Sequence, residues 1–311
     1  MTKNSHSKSK PWEGEPAAHP ILATAVVPWA ERYEFDADQF REHVGAIATG
    51  LTRHIYVFGT AGEGYALTDA QYDRVTKAFW QAAQDFDVRP MVGVVSLSLG
   101  TMIERIERSR AMGFREFQIS LPSWGALNDR ELATFFAETC GRFPDCFFLH
   151  YNLGRTKRIL TGADYRRIGP AHPNLVAVKK GGSDEPAVIK DLLSVQPGIK
   201  MFFTENSYIE ARKHALCGLL ISVATVNYAR AKELVAGDDA FRAACLPELK
   251  AMVDKLIELS QGKFHIDGAY DKLLAKVSQP AFPQRLLPPY ESSTEADYRA
   301  FLAALPARGK P

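Results

Sequence analysis

The chain has little of what would make a protein strongly basic, disulfide-built or membrane-spanning. Its 311 residues carry 38 Lys and Arg against 36 Asp and Glu, a formal charge of +2. A balance so close to zero argues against nucleic acid or an anionic membrane as the main partner, since both select basic surfaces. No apolar run approaches the roughly 18 residues of a membrane-spanning helix. The opening segment MTKNSHSKSKPWEGEPAAHP is polar throughout and is expected to be a flexible arm, not a secretory signal. Only four cysteines occur (Cys140, Cys146, Cys217, Cys245), with no CxxC spacing, so buried thiols in a reducing cytoplasm are expected. The eight histidines form no HExxH or related pair, and no metal site is expected.

What the chain does have is alternation. Short apolar runs (21–29, 54–59, 90–96, 115–122, 146–152, 174–179, 200–205, 218–223) are separated by amphipathic stretches such as 36–50, 68–86 and 128–143. The spacing predicts strands followed by helices, with Asp36, Thr68 and Asn128 or Asp129 as helix caps. Near-continuous apolar strands indicate a parallel sheet covered by helices. Eight such units fit a (β/α)8 TIM barrel better than an open sheet. The stretch after the first strand, VVPWAERYEF, lacks the glycine-rich phosphate loop of a doubly wound nucleotide fold. More helical sequence follows at about 238–261 and 293–305. The expected organisation is an arm over 1–19, a barrel over 20–235 and a C-terminal helical extension over 236–311 packed on it. A single domain of this length buries roughly 75% of its unfolded surface, enough to enclose a desolvated side chain.

In this fold the chemistry gathers at the C-terminal ends of the strands. One of those ends is NLVAVKKGGSD (174–184), where an apolar run leads straight into two lysines. Lysine is seldom fully buried, so the two are either solvated loop charges or one of them is held in a pocket for chemistry. A lysine in a barrel mouth suits Schiff-base formation with a carbonyl compound. The attacking amine must be neutral, so its pKa must fall from about 10.4 towards about 7, at about 1.4 kcal/mol per unit. Burial supplies shifts of that order. Alternation puts Lys179 and Lys180 on opposite faces without deciding which points inward. Tyr151 ends the fifth strand and is a candidate proton donor or acceptor. GTAGEG (59–64) is a candidate backbone nest for a carboxylate or phosphate. Arg155 offers a bidentate partner for a carboxylate.

Four segments, FGTAGEGYALT (58–68), HYNLGRT (150–156), NLVAVKKGGSD (174–184) and GLLISVATVNYA (218–229), come in the order and spacing of the dihydrodipicolinate synthase / N-acetylneuraminate lyase family. The resemblance covers about residues 20–260. It implies that Lys179 is the Schiff-base nucleophile and that Lys180 faces away. It implies that Tyr151 positions and shuttles protons at the imine carbon. Thr60 and Ala61 match the two positions that hold the carboxylate of a 2-keto acid, Arg155 the arginine that in the synthases helps hold the second substrate, and Ile221 an isoleucine whose backbone lies beside the bound keto acid. No cofactor or metal is implied beyond the covalent imine. The partners implied are a small-molecule 2-keto acid and further copies of the chain, as a homotetramer or dimer in the cytoplasm.

Several positions depart from the family pattern. Ala61 replaces one hydroxyl residue, YNLGRT is one residue short and lacks a proline, and FFTEN replaces a glycine-aspartate turn. The fourth strand ends in LPSWG, where synthases carry a tyrosine pair. The expected activity is a class I lyase acting on pyruvate or a larger 2-keto acid, by aldol cleavage or condensation or by dehydration. The alternative is a keto-acid-binding relative that no longer turns over. A barrel glycosidase is disfavoured, because Glu205 at the seventh strand end has no carboxylate partner at the fourth.

Overall fold

The structure is a computed structural model, and it describes residues 11–12, 20–182, 184–261, 263–264 and 267–306. The expected arm over 1–19 therefore lies outside the described residues except at Pro11 and Trp12.

Eight parallel strands run in the order β1 to β8 and close into a barrel. They are β1 Ile21–Thr24, β2 His54–Val57, β3 Arg89–Gly93, β4 Glu116–Ile119, β5 Phe147–Tyr151, β6 Leu175–Lys180, β7 Lys200–Phe203 and β8 Gly218–Leu220. A helix follows each: α1 Ala37–Gly50, α2 Asp69–Asp85, α3 Leu99–Met112, α4 Asp129–Phe136, α5 Gly162–Ile168, α6 Pro186–Leu193, α7 Glu205–Ala211 and α8 Tyr228–Ala236. Three more follow among the described residues, α9 Asp239–Ser260, α10 Asp267–Ser278 and α11 Glu295–Ala304. The fold is a TIM barrel with C-terminal helices.

The expected caps form. Asp36 accepts from the Gln39 amide, and Thr68 and Asn128 each close a reciprocal capping box with Gln71 and Glu131. The strands are shorter than their apolar runs. β1 stops at Thr24 although the run continues to Trp29; Val26, Val27 and Trp29 are buried outside the sheet, Val26 against Ala275 and Phe282. The run at 218–223 likewise leaves the sheet after Leu220 and tightens into a turn over Val223–Val226. The helix expected over 128–143 is regular only to Phe136 and widens over Ala137–Gly141. Helix α10, absent from the sequence expectation, is the largest addition.

By compactness the described residues fall into two units. The first holds those up to Leu22 with Arg89–Leu220; the second holds Ala23–Val88 and those from Ile221 onward. In the first, strand pairing sets Tyr151 beside Lys179 and Lys179 beside Phe202. His150, one residue earlier, faces the opposite way, its Nδ1 2.8 Å from the Tyr165 hydroxyl of α5 and its ring against Phe136 of α4. Lys179 and Tyr151 thus share the face turned away from the helices. In the second unit α1 packs against α2 and β2, and Phe40 and Phe79 meet edge to face. No helix among the described residues is long and apolar enough to cross a membrane.

Candidate active site

The two lysines that end β6 are both buried, Lys179 with 1% and Lys180 with 8% of its surface exposed. Their surroundings differ. The Nζ of Lys179 lies 4.1 Å from the centroid of the Tyr151 ring. The Nζ of Lys180 meets the Asp184 carboxylate at 2.8 Å and the Gly181 carbonyl at 3.2 Å. Asp184 is fixed in turn, its amide donating to the Ser207 hydroxyl of α7, which donates to the Gly182 carbonyl. Lys180 is therefore an ion-paired residue on the helix side, with its charge matched close by. Gly182 takes φ +95, a conformation open to glycine at little cost, and this lets the chain turn back after β6.

Tyr151 and Asn152 end β5. The Asn152 amide nitrogen donates to the Leu160 carbonyl at 2.8 Å, and its oxygen accepts from the Leu160 amide at 2.9 Å. This pair of bonds closes the 153–160 loop, a role that the sequence did not reveal. Arg155 sits in a short helical turn, Gly154–Thr156, on that loop, and is exposed. Arg158, on the same loop, reaches the Leu127 carbonyl and the carboxylates of Asp129 and Asp164. Trp124, beyond the end of β4, is 84% exposed, and its carbonyl accepts from Lys157 Nζ at 2.8 Å.

Thr60 and Ala61 lie beyond the end of β2 and are buried, as is Ile221 directly after β8. The loop carrying Thr60 folds back on itself. An added Cβ at Gly62 would lie 2.7 Å from the Phe58 nitrogen, and one at Gly64 2.6 Å from the Phe58 oxygen. The glycines permit that close approach. The Glu63 and Gly64 amides donate to the Thr60 and Gly59 carbonyls at 3.1 and 3.2 Å, so these two N–H groups serve the loop itself and not an outward-facing nest. Sequence reasoning missed the residue at its centre. Glu63 is fully buried and ion-paired with Lys272 of α10, itself fully buried. Glu205, the carboxylate noted at the end of β7, is buried as the first residue of α7.

Burial pushes the Cys140 and Cys146 thiols up to about 12, which makes them poor nucleophiles. No cluster of three His, Cys, Asp or Glu side chains that would hold a metal ion occurs among the described residues. The candidate residues of the first unit are therefore a buried lysine against a phenol ring and an exposed arginine, and those of the second are two small residues on a tight loop.

Comparison with known proteins bears on this arrangement. No curated protein sequence matches the chain. Among solved structures, Proteus mirabilis N-acetylneuraminate lyase is 18% identical, with a TM-score of 0.78 over 93% of this chain and 97% of that one. A prophage protein of the dihydrodipicolinic acid synthase family from E. coli K12, solved with pyruvate, is 14% identical, with a TM-score of 0.78 over 92% and 96%. The 4-hydroxy-tetrahydrodipicolinate synthase of Methylacidiphilum fumariolicum SolV is 12% identical, with a TM-score of 0.77 over 92% and 94%. At these identities the likeness is one of fold. The sequence profile of the dihydrodipicolinate synthetase family, however, matches residues 17–240, and the chain belongs to that family.

Proposed function

We propose that the protein is a class I lyase in which Lys179 forms an imine with pyruvate or a larger 2-keto acid. The observation that carries the reading is the placement of Lys179, buried at the end of β6 with its amine over the Tyr151 ring. Removal from water penalises an ammonium far more than an amine.

The step begins with the amine lone pair adding to the C2 carbonyl. The resulting carbinolamine loses its oxygen as water and leaves a protonated imine. Electrons from a bond at C3, to hydrogen or to carbon, then flow into the imine and give an enamine. The same sequence reversed makes the bond. Tyr151 moves the proton at the imine carbon. Thr60 and the Ala61 backbone hold the carboxylate, Ile221 lines the keto acid, and Arg155 serves a second, acidic substrate. No metal or organic cofactor enters any of these steps. The reading extends to a cytoplasmic homo-oligomer.

The competing reading is a relative that binds keto acids without turnover. What favours it is the end of β4, where Ser123 and the exposed Trp124 place no phenol. Borohydride reduction separates the two. Incubation with pyruvate and sodium borohydride, followed by peptide mapping, yields a reduced pyruvyl adduct on Lys179 if the imine forms. Assay of aldehyde partners and hydroxylated keto acids then shows whether product follows. An imine without product from any of them would favour the silent relative.

A further inference from the structure

Within the second unit, the loop that carries Thr60 and Ala61 is held from the C-terminal helices by charge. Glu63 has three bonds on its carboxylate. Oε1 accepts from the Trp29 indole at 3.0 Å and pairs with Lys272 Nζ, and Oε2 accepts from the Leu287 amide at 2.7 Å. Lys272 also donates to the Arg285 carbonyl, and its Nζ lies 5.9 Å from the Trp29 ring centroid. Gly268, one turn earlier on α10, leaves just enough room for the loop, since an added Cβ there would lie 3.3 Å from Glu63 Cγ and 3.5 Å from the Ala61 carbonyl.

The backbone at the loop's two ends is strained. Phe58 and Glu63 both adopt left-handed conformations, with φ 64 and 57. For residues with a Cβ such conformations persist only where the surroundings impose them. At Glu63 those surroundings are the indole, the ammonium and the Leu287 amide. The Glu63 amide then donates to the Thr60 carbonyl at 3.1 Å, which transmits its position directly to the residue three places earlier.

A buried ion pair is a poor choice for stability alone, because well-packed apolar residues of like volume often serve as well or better. What it supplies is direction. We infer that Glu63 and Lys272 are positioning residues, which set the Thr60–Ala61 segment in the pose that receives the substrate carboxylate. The inference rests on the function proposed above.

The test is the double variant Glu63→Leu/Lys272→Met, which removes both charges and leaves neither buried alone. Its readouts are thermal midpoint and the concentration dependence of borohydride-trapped adduct on Lys179, with pyruvate and with pyruvamide, which lacks the carboxylate. The expected result is a midpoint close to that of the unaltered protein and a half-saturating pyruvate concentration raised at least about tenfold. Trapping at saturation should stay within about threefold, and pyruvamide should show no comparable penalty. Equal penalties for the two probes, or an unchanged pyruvate dependence, would overturn the inference. If the double variant does not fold, Trp29→Phe carries the same test, since it removes one donor to Glu63 and keeps both charges. Absence of any adduct in the unaltered protein would instead refute the underlying lyase reading.

Discussion

Lys179 and Tyr151 are register partners on neighbouring strands, and the lysine Nζ rests 4.1 Å from the centre of the tyrosine ring. The ring and the hydroxyl have separable duties in this arrangement. On the proposed reading the ring packs the amine in place and the hydroxyl carries the proton. Tyr151→Phe should therefore leave the borohydride-trapped adduct on Lys179 in place and lower turnover by about 10²- to 10⁴-fold, the usual worth of a positioned acid or base. Stopped assays beside quantitative trapping would read both. Loss of the adduct in proportion to turnover would show that the hydroxyl is needed for imine formation itself.

The neighbouring lysine should behave in the opposite way. Lys180 and Asp184 are an ion pair with side chains about one-tenth exposed. Lys180→Met strands the Asp184 carboxylate beside an apolar chain, and breaking a buried pair from one side costs on the order of 3 kcal/mol. The expected result is a lower urea midpoint together with an undiminished adduct on Lys179. A stable variant that no longer traps pyruvate would transfer the nucleophile's role to Lys180.

Arg155 is exposed on the loop that Asn152 closes. Arg155→Ala should raise the KM for an acidic second substrate about tenfold or more, as loss of a charge-assisted bond implies. The dependence of trapping on pyruvate should stay the same. A variant with unaltered kinetics for every partner would remove Arg155 from the site.

Two buried histidines predict the acid response. Burial pushes His43 down to about 4 and His150 to about 3. The Nε2 of each is enclosed without a hydrogen-bond partner, and burial away from water disfavours the charged, doubly protonated ring. An unfolded histidine takes its proton near pH 6.5. Below that pH the unfolded chain binds protons that the folded chain excludes, and stability falls by about 1.4 kcal/mol per pH unit for each histidine. The loss begins as pH drops below about 6.5 and ends only below each folded pKa. Urea midpoints measured from about pH 7 down to about pH 5 should decline steadily. The decline should be shallower in His43→Gln. A flat profile over that range would contradict the assignment.

Much of the barrel was legible in the sequence because its strands are apolar runs and its helices carry recognisable caps. Asp36, Thr68 and Asn128 each cap the helix expected of them. Strand ends were less legible, because burial in a loop looks the same as burial in a sheet. Val26 to Trp29 show this, being apolar and enclosed yet outside β1. The Lys179 motif was readable as a lysine pair at a strand end, although only three-dimensional context separates the member packed on a ring from the one paired with Asp184. The Glu63–Lys272 pair was not readable from spacing, since its members lie more than 200 residues apart in the chain. A signal did exist in DGAYDKLLAKVS, where Lys272 falls at helical spacing between Gly268 and Ala275 on a row that is otherwise small and apolar. A charge on such a row points to a buried partner.

The most direct test of the account is peptide-mapped borohydride trapping of the unaltered protein and of Lys179→Ala with pyruvate and with larger 2-keto acids. The account predicts a reduced adduct on Lys179 that disappears in the variant while the fold, followed by circular dichroism, is retained. An adduct on another lysine, or none with any 2-keto acid, would contradict it.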